Sequence, residues 1–383
     1  MAGRDIICLV NSRRRKRLGS IKTRSYTKGH KADYILLGLT LLLTLLGIIS
    51  VADSSSPHAL KVFDDPYYFA KQQLMWSGVG FVGMISAYIF NYKIWKKLAF
   101  PLFFISLCLL FLIFIPGFSS ETLGARRWLS IGGIGFQPAE IMKLVLAIII
   151  AKLLSENYYY IYPIGVTGLV AGGLLLQPDF GTTLVILSIS FVQLFVGGIP
   201  LLYVLGLGFL GGVGSLAIVV FSDYRRARLL TFLNLGRDPL GASYHIRQIL
   251  IALGSGGLFG VGLGHSKQKH LFLPETATDS VFAVMGEELG FVGASFIIIL
   301  LTYFVLRIFK IASQAPDKFS QTLVSGIATW FAAQIFLNLA SMVALTPITG
   351  IPLPFFSYGG SSLTMILISI GIILNISRFN ETK

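Results

Sequence analysis

Long apolar runs alternate with short polar links along most of this chain. The runs fall near residues 34–52, 72–91, 98–116, 139–155, 159–176, 183–198, 201–221, 281–306, 322–345 and 361–377. A helix needs roughly 20 apolar residues to cross about 30 Å of hydrocarbon. The pattern therefore predicts an all-α integral membrane protein with about ten transmembrane helices and no soluble domain attached. Two segments break the rhythm. Residues 1–33 are polar and basic, with Arg13, Arg14, Arg15, Lys16 and Arg17 in one block, and read as a disordered cytoplasmic tail. Residues 222–280 form a long polar loop between the seventh and eighth runs of the membrane domain, 34–378.

Composition agrees with this picture. The 383 residues have a mean hydropathy of +0.77, and 13% are charged, against about 25% in a soluble domain. Forty-one glycines suit helices packed closely in lipid. A net charge of +14 could point to nucleic acid in a soluble chain, but here it belongs to loops at a membrane surface, and no nucleic-acid partner is expected. Cys8 lies in the tail and Cys108 in an apolar run, so no disulfide is expected. The first apolar run is longer than a signal-peptide core and many runs follow it, so it reads as an uncleaved helix.

The charges predict an orientation. With the N-terminus in the cytoplasm, the short inner links carry Lys93, Lys96 and Lys97, then Lys152, then Arg307, Lys310 and Lys318, then Arg378 and Lys383. This satisfies the positive-inside bias, which weakens for long loops and so allows the basic segment 222–280 to lie outside. Both termini are then cytoplasmic. The outer loops become 53–71, 117–138, 177–182, 222–280 and 346–360. The long one holds Arg225, Arg226, Arg228, Arg237, Arg247, Lys267 and Lys269 and ends near Asp279. Such a cationic surface beside the outer leaflet, ending in a carboxylate, fits a lipid with a phosphorylated head group.

Several residues could carry chemistry. Asp279 stands just before the eighth run, where it reads either as a helix N-cap or as a general base at the membrane surface. Glu287 would lie on the same face, on the order of 12 Å below it at 1.5 Å per residue. Glu287 and Glu288 are expensive in lipid and read as structural pairing groups. Glu140 and Lys143 are spaced for an i, i+3 ion pair, with Lys143 reaching Asp279 or a phosphate as the alternative. Arg126, Arg127 and Trp128 form a cationic and aromatic cluster at the outer interface, where Arg suits bidentate contact with phosphate. Gln137, Gln248, Lys267 and Ser357 are further candidate substrate contacts, with Arg225, Arg226, Arg228 and Arg247. The stretch Gly254-Ser255-Gly256-Gly257 with Gly260, Gly262 and Gly264 lacks the ending of a phosphate-binding loop and reads as a flexible or re-entrant segment. The five His residues show no ligand spacing, so no structural metal site is expected.

Taken in order, these blocks resemble the SEDS family of bacterial cell-wall proteins (FtsW, RodA and SpoVE). The most specific block runs from Thr349 through Pro352, Pro354, Ser357, Tyr358, Gly359 and Gly360 to Ser362. Gly124 to Trp128, Phe136 to Lys143, Gln177 to Thr182, and Leu273 to Gly290 match four more, over roughly residues 34 to 378. The resemblance implies an inverting peptidoglycan glycosyltransferase that polymerises lipid II into a growing glycan strand at the outer face of the bacterial cytoplasmic membrane. It implies a class B penicillin-binding protein transpeptidase and other division proteins as partners, among membrane lipids. It permits a divalent cation, Mg or Mn, with no other cofactor. The family's aspartate falls on Asp279, its lysine on Lys143 and its Arg-Trp pair on Arg127 and Trp128. Ala277 stands where many members have His, and Ser280 where many have Phe, so histidine-assisted proton transfer is not expected. Asp65 to Leu74 and the basic extension look like the division branch, FtsW, rather than the elongation branch, RodA. The rival class is a lipid II flippase or transporter, which intramembrane Glu residues and broken helices would also suit. A non-catalytic scaffold is the third reading.

Overall fold

The computed structural model describes residues 31–115, 117, 119–122, 125–131, 134–203, 205, 206, 208, 211, 212, 214, 232, 243–270, 272–274 and 276–379. Ten helices and one small sheet have assigned bounds. In chain order they are α1 (Tyr34–Phe63), α2 (Tyr68–Ile89), α3 (Lys93–Leu112), β1 (Ser119–Thr122), β2 (Ala125–Ile131), β3 (Ile134–Phe136), α4 (Pro138–Ser155), α5 (Ile161–Leu176), α6 (Phe180–Val196), α7 (Tyr244–Ser255), α8 (Val281–Ser313), α9 (Lys318–Met342) and α10 (Gly360–Ser377). The described residues between 201 and 214 are helical too, and most of the seventh predicted span lies outside the described residues. Three helix starts are capped by aspartates: Asp33 accepts from Leu36 N, Asp179 from Thr182 N, and Asp317 forms a capping box with Ser320.

Helices α4, α9 and α10 form the centre of the bundle. Nearly every residue of α4 is buried, and of the most apolar stretch 83% is buried in α10 and 72% in α9, against 22% in α3. The outer helices turn apolar side chains such as Leu41 and Leu45 of α1, Phe104 of α3 and Phe296 of α8 away from the protein. Such a surface fits lipid and would be a liability in water. Helices α1, α3, α8, α9 and α10 are long and apolar enough to cross a membrane. Helix α4 carries three charges, Glu140, Lys143 and Lys152, and spends them inside the bundle or at its edge. Helices α2 and α10 pack most extensively. Gly80 of α2 sits on Leu367, and Gly371 of α10 sits on the Met84 carbonyl, so a Cβ at either would collide. Small residues at the contact let backbones approach where no hydrophobic force joins them.

The bundle has two polar ends. At one, Arg307 pairs with Asp33 at 2.8 Å, Asp33 N donates to Ser377, Asn375 receives Tyr92 N, and the Tyr92 hydroxyl donates to Asp317 at 2.5 Å. Lys96 meets Glu156 at this end too. The basic short links gather here. The other end collects the segments around Asp53, Arg127, Gln137, Pro178, Asp279 and Ser357.

Three expectations change. The loop expected from residue 53 is instead three further turns of α1, leaving 64–67 as the link to α2. Asp53 has a cationic partner, and the Ser55 hydroxyl returns to the Val51 carbonyl, so polar composition there marks the edge of lipid and not the end of the helix. The loop expected over 117–138 contains a three-stranded antiparallel sheet, ordered β1-β2-β3, with Leu129 opposite both Ser119 and Phe136. The all-α expectation thus holds for the bundle and not for this loop. The single span expected over 281–306 is a helix broken at Gly290. Its 33 residues would cover about 50 Å at 1.5 Å each, far more than one crossing.

Candidate active site

The break in α8 explains the glycine-rich segment. At φ +68°, Gly290 takes a conformation that residues with a Cβ avoid. Breaking a helix frees backbone groups, and in lipid each needs a new partner. Here Val261 N donates to the Glu287 carbonyl and Gly262 N to the Glu288 carbonyl. On the far side Phe291 N donates to the Gly257 carbonyl and Val292 N to that of Leu258. The glycine segment is therefore threaded into the helix. Gly260 lies against the Glu288 carbonyl, where no Cβ would fit.

Glu287 and Glu288 hold the next turn of chain. Glu287 accepts from the Ser266 hydroxyl, Lys267 N and Gln268 N. Glu288 accepts from Ser266 N and from the Lys269 ammonium at 2.8 Å, which also reaches Asp53 of α1 at 2.7 Å. Burial alone would lower the Lys269 pKa, but its hydrogen bonds to Asp53 and Glu288, with their charges, hold it above the ordinary value. One buried cation thus ties α1, the loop and the broken helix together.

This clamp delivers residues 276–280 to the mouth of the bundle. Tyr358 N donates to the Ala277 carbonyl at 2.7 Å. The Asn338 amide of α9 donates to the Asp279 carbonyl at 3.2 Å and the Ile351 carbonyl at 2.8 Å. The half-buried Asp279 carboxylate comes within 3.5 Å of where a Cβ of Gly350 would be. The N-cap of α8 is Ser280, not Asp279, because the helix begins one residue later than the capping expectation requires. Ser280 makes no cap bond; its hydroxyl lies 2.8 Å from His245 Nε2 of α7. A cavity of about 430 Å³ adjoins the segment, lined by His58, Phe69, Thr276, Thr278 and Tyr358. Burial, and then the neighbouring Tyr68, raise the Tyr358 pKa.

Beneath the mouth lies a buried polar ladder. Lys143 Nζ bonds Glu140 at 2.7 Å and the Gln334 carbonyl oxygen at 3.0 Å, with 1% and 2% of Lys143 and Glu140 exposed. It also lies 5.0 Å from the centre of the Trp330 ring. Trp330 Nε1 donates to Gln334, and Gln334 Nε2 donates to the Pro352 carbonyl. Trp330, Gln334 and Asn338 are one turn apart on α9, so the ladder climbs from the ion pair to the backbone of Asp279. Lys143 is thus engaged by Glu140 and Gln334 and connects to the Asp279 segment through α9.

The remaining candidates scatter around this mouth. Arg127 donates to the Pro178 carbonyl at 2.6 Å, joining the sheet to the start of α6. Trp128 is half-buried on β2, and the Arg126 side chain lies outside the described residues. Gln137 is spent on Ser361 and Asp179, and Ser357 is buried and receives Leu353 N. Arg247 and Lys267 are exposed and Gln248 half-buried, while Arg225, Arg226, Arg228 and Arg237 lie outside the described residues. Among the described residues no group of three His, Cys, Asp or Glu side chains that could hold an ion is present. Sequence reasoning missed Gln334, Asn338 and His245. The i, i+4, i+8 spacing of Trp330, Gln334 and Asn338 in an apolar run was the available signal for two of them.

Comparisons with known proteins bear on the family and the fold. The model of the FtsW/RodA/SpoVE cell cycle proteins matches residues 33–382. Stage V sporulation protein E of Bacillus subtilis is 39% identical over 363 residues, covering 93% of this chain and 99% of that one. A protein of Trichlorobacter lovleyi named "Probable peptidoglycan glycosyltransferase FtsW" is 41% identical over 356 residues, 90% and 93% of the two chains. Among solved structures, a chain described under "Structural coordination of polymerization and crosslinking by a peptidoglycan synthase complex" matches with a TM-score of 0.75 and 31% identity, over 91% of this chain and 98% of that one. The rod shape determining protein RodA of Thermus thermophilus matches at 0.68 and 31%, over 92% and 98%. With a matching model over nearly its full length and relatives this close, the chain belongs to the FtsW/RodA/SpoVE family of cell cycle proteins.

Proposed function

We propose that this chain is a peptidoglycan glycosyltransferase that polymerises lipid II at the outer face of the bacterial cytoplasmic membrane, with Asp279 as general base. The observation that carries the reading is the setting of Asp279. It is a half-buried carboxylate on a clamped segment, at the end of the bundle remote from the basic links. The positive-inside bias assigns that basic end to the cytoplasm, so Asp279 faces out. Family membership and the relatives' names support the reaction class.

Lipid II carries an α-linked diphosphate and the polymer is β-1,4 linked, so a single in-line displacement inverts the centre. The attacking 4-hydroxyl must lose its proton, and Asp279 takes it. Such help is typically worth about 10²–10⁴-fold. The departing polyprenyl diphosphate gathers negative charge, and Arg127, Arg247 and Lys267, with Arg126, Arg225, Arg226 and Arg228, are the cations that neutralise it. Asp65 to Leu74 and the basic extension favour a division role over elongation. A class B transpeptidase is the expected partner, in keeping with the solved relative's description.

The transporter reading is weaker. Broken helices in transporters leave their freed backbone groups to the cargo. In α8 those groups are taken by residues 257–262. The test uses purified protein in vesicles carrying lipid II on both leaflets. A polymerase yields glycan chains, whereas lipid II exchanged between leaflets with no new glycosidic bond would move the chain into the transporter class.

A further inference from the structure

We infer that Asn338 is a positioning residue that fixes the base through its backbone. The inference rests on Asp279 being that base. Asn338 is 1% exposed and stands on α9, in the buried centre of the bundle. Its single NH₂ group serves two carbonyls from segments far apart in sequence: Asp279 at 3.2 Å and Ile351 at 2.8 Å. The amide orientation follows from chemistry, since an oxygen in that place would oppose two carbonyl oxygens with no proton between them. Oδ1 has no hydrogen-bond partner among the described residues, so the described contacts of this side chain are donations alone.

The consequence lies in what else holds residues 277–280. Tyr358 N holds the Ala277 carbonyl from the loop before α10, and His245 meets Ser280 from α7. Asn338 alone among these three comes from a central helix, and it acts on residue 279 itself. It also pins Ile351, next to the Gly350 position that the Asp279 carboxylate faces. The Asp279 backbone and the facing loop thus share one side chain as donor. Removing it takes away the central helix's hold on the peptide that carries the base, and a misplacement of about 1 Å at a reacting group costs on the order of 10²-fold. Substrate contacts elsewhere are untouched, so the loss belongs in kcat.

The test measures polymerisation of purified lipid II, with lipid II binding measured separately, for wild type, Asn338→Ala, Asn338→Ser and Asp279→Asn. Asn338→Ala is expected to lower kcat about 100-fold, with KM and lipid II binding within about twofold. Asn338→Ser keeps one donor and is expected to lose about tenfold; it carries the same kcat-against-KM comparison if Asn338→Ala does not fold. Deuterium exchange at residues 276–282 is expected to quicken in both Asn338 variants, while α4 stays protected. Asp279→Asn inactive beside full turnover in both Asn338 variants overturns the positioning role and leaves the base standing. A raised KM at unchanged kcat overturns it too, by making Asn338 a substrate contact. Full turnover in Asp279→Asn instead removes the base, and this inference falls with it.

Discussion

Lys143 and Glu140 show how much can rest on one buried pair. Their ion pair is sealed from water and shares Gln334 with Trp330. Losing one partner strands the other charge, at a typical cost of about 3–5 kcal/mol. Lys143→Met is therefore expected to lower the thermal unfolding midpoint sharply and polymerisation with it. The double variant Glu140→Gln with Lys143→Met, which leaves no lone charge, is expected to recover most of that stability. The pair was legible in the sequence because i, i+3 spacing is a local property. Its connection to the Asp279 segment was not, because Gln334 and Asn338 lie nearly two hundred residues away in the chain and only folding stacks them above Lys143.

Helix α8 carries the same lesson at the scale of an element. Apolar residues flank Gly290 on both sides and read as one run despite Glu287 and Glu288, since a window of apolar residues reads solvent and not backbone angle. The break needs a partner strand of chain, and that partner is residues 257–262 of the preceding loop. The glycines were visible as a flexible or re-entrant segment, but not what they enter. Gly290→Ala is expected to fail twice. Its φ of +68° is strained for alanine, at roughly 1–3 kcal/mol, and its Cβ would meet the backbone of Phe259 and Gly260. Limited proteolysis should then cut within 256–270, with polymerisation lost while α9 and α10 stay protected. The extra turns of α1 and the small sheet escaped for a related reason. Lys269 holds Asp53, and β2 finds its register against both neighbours, neither of which a local pattern reveals.

Across the whole molecule, nine of the ten predicted runs recur as helices with assigned bounds and the described residues of the seventh are helical too, since the period and length of apolar runs are dictated by the bilayer. Described ion pairs join the predicted links at the two polar ends: Asp33 with Arg307 and Lys96 with Glu156 at one, Asp65 with Lys71 and Asp53 with Lys269 at the other. The proposed orientation rests on this sorting together with the positive-inside bias and is open to a direct test. In a chain lacking Cys8 and Cys108, Asp65→Cys is expected to react with a membrane-impermeant thiol reagent on intact cells. Lys97→Cys is expected to react only after permeabilisation, and the opposite pattern would invert the bundle.

The most direct measurement of the central claim is the rate at which purified protein polymerises lipid II with Asp279 intact, and as Asp279→Asn or Asp279→Ala, at equal folded concentration. The account predicts glycan from the wild type and a loss of at least about 10²-fold in both variants, with lipid II still bound. Polymer formed at the wild-type rate by either variant would contradict it.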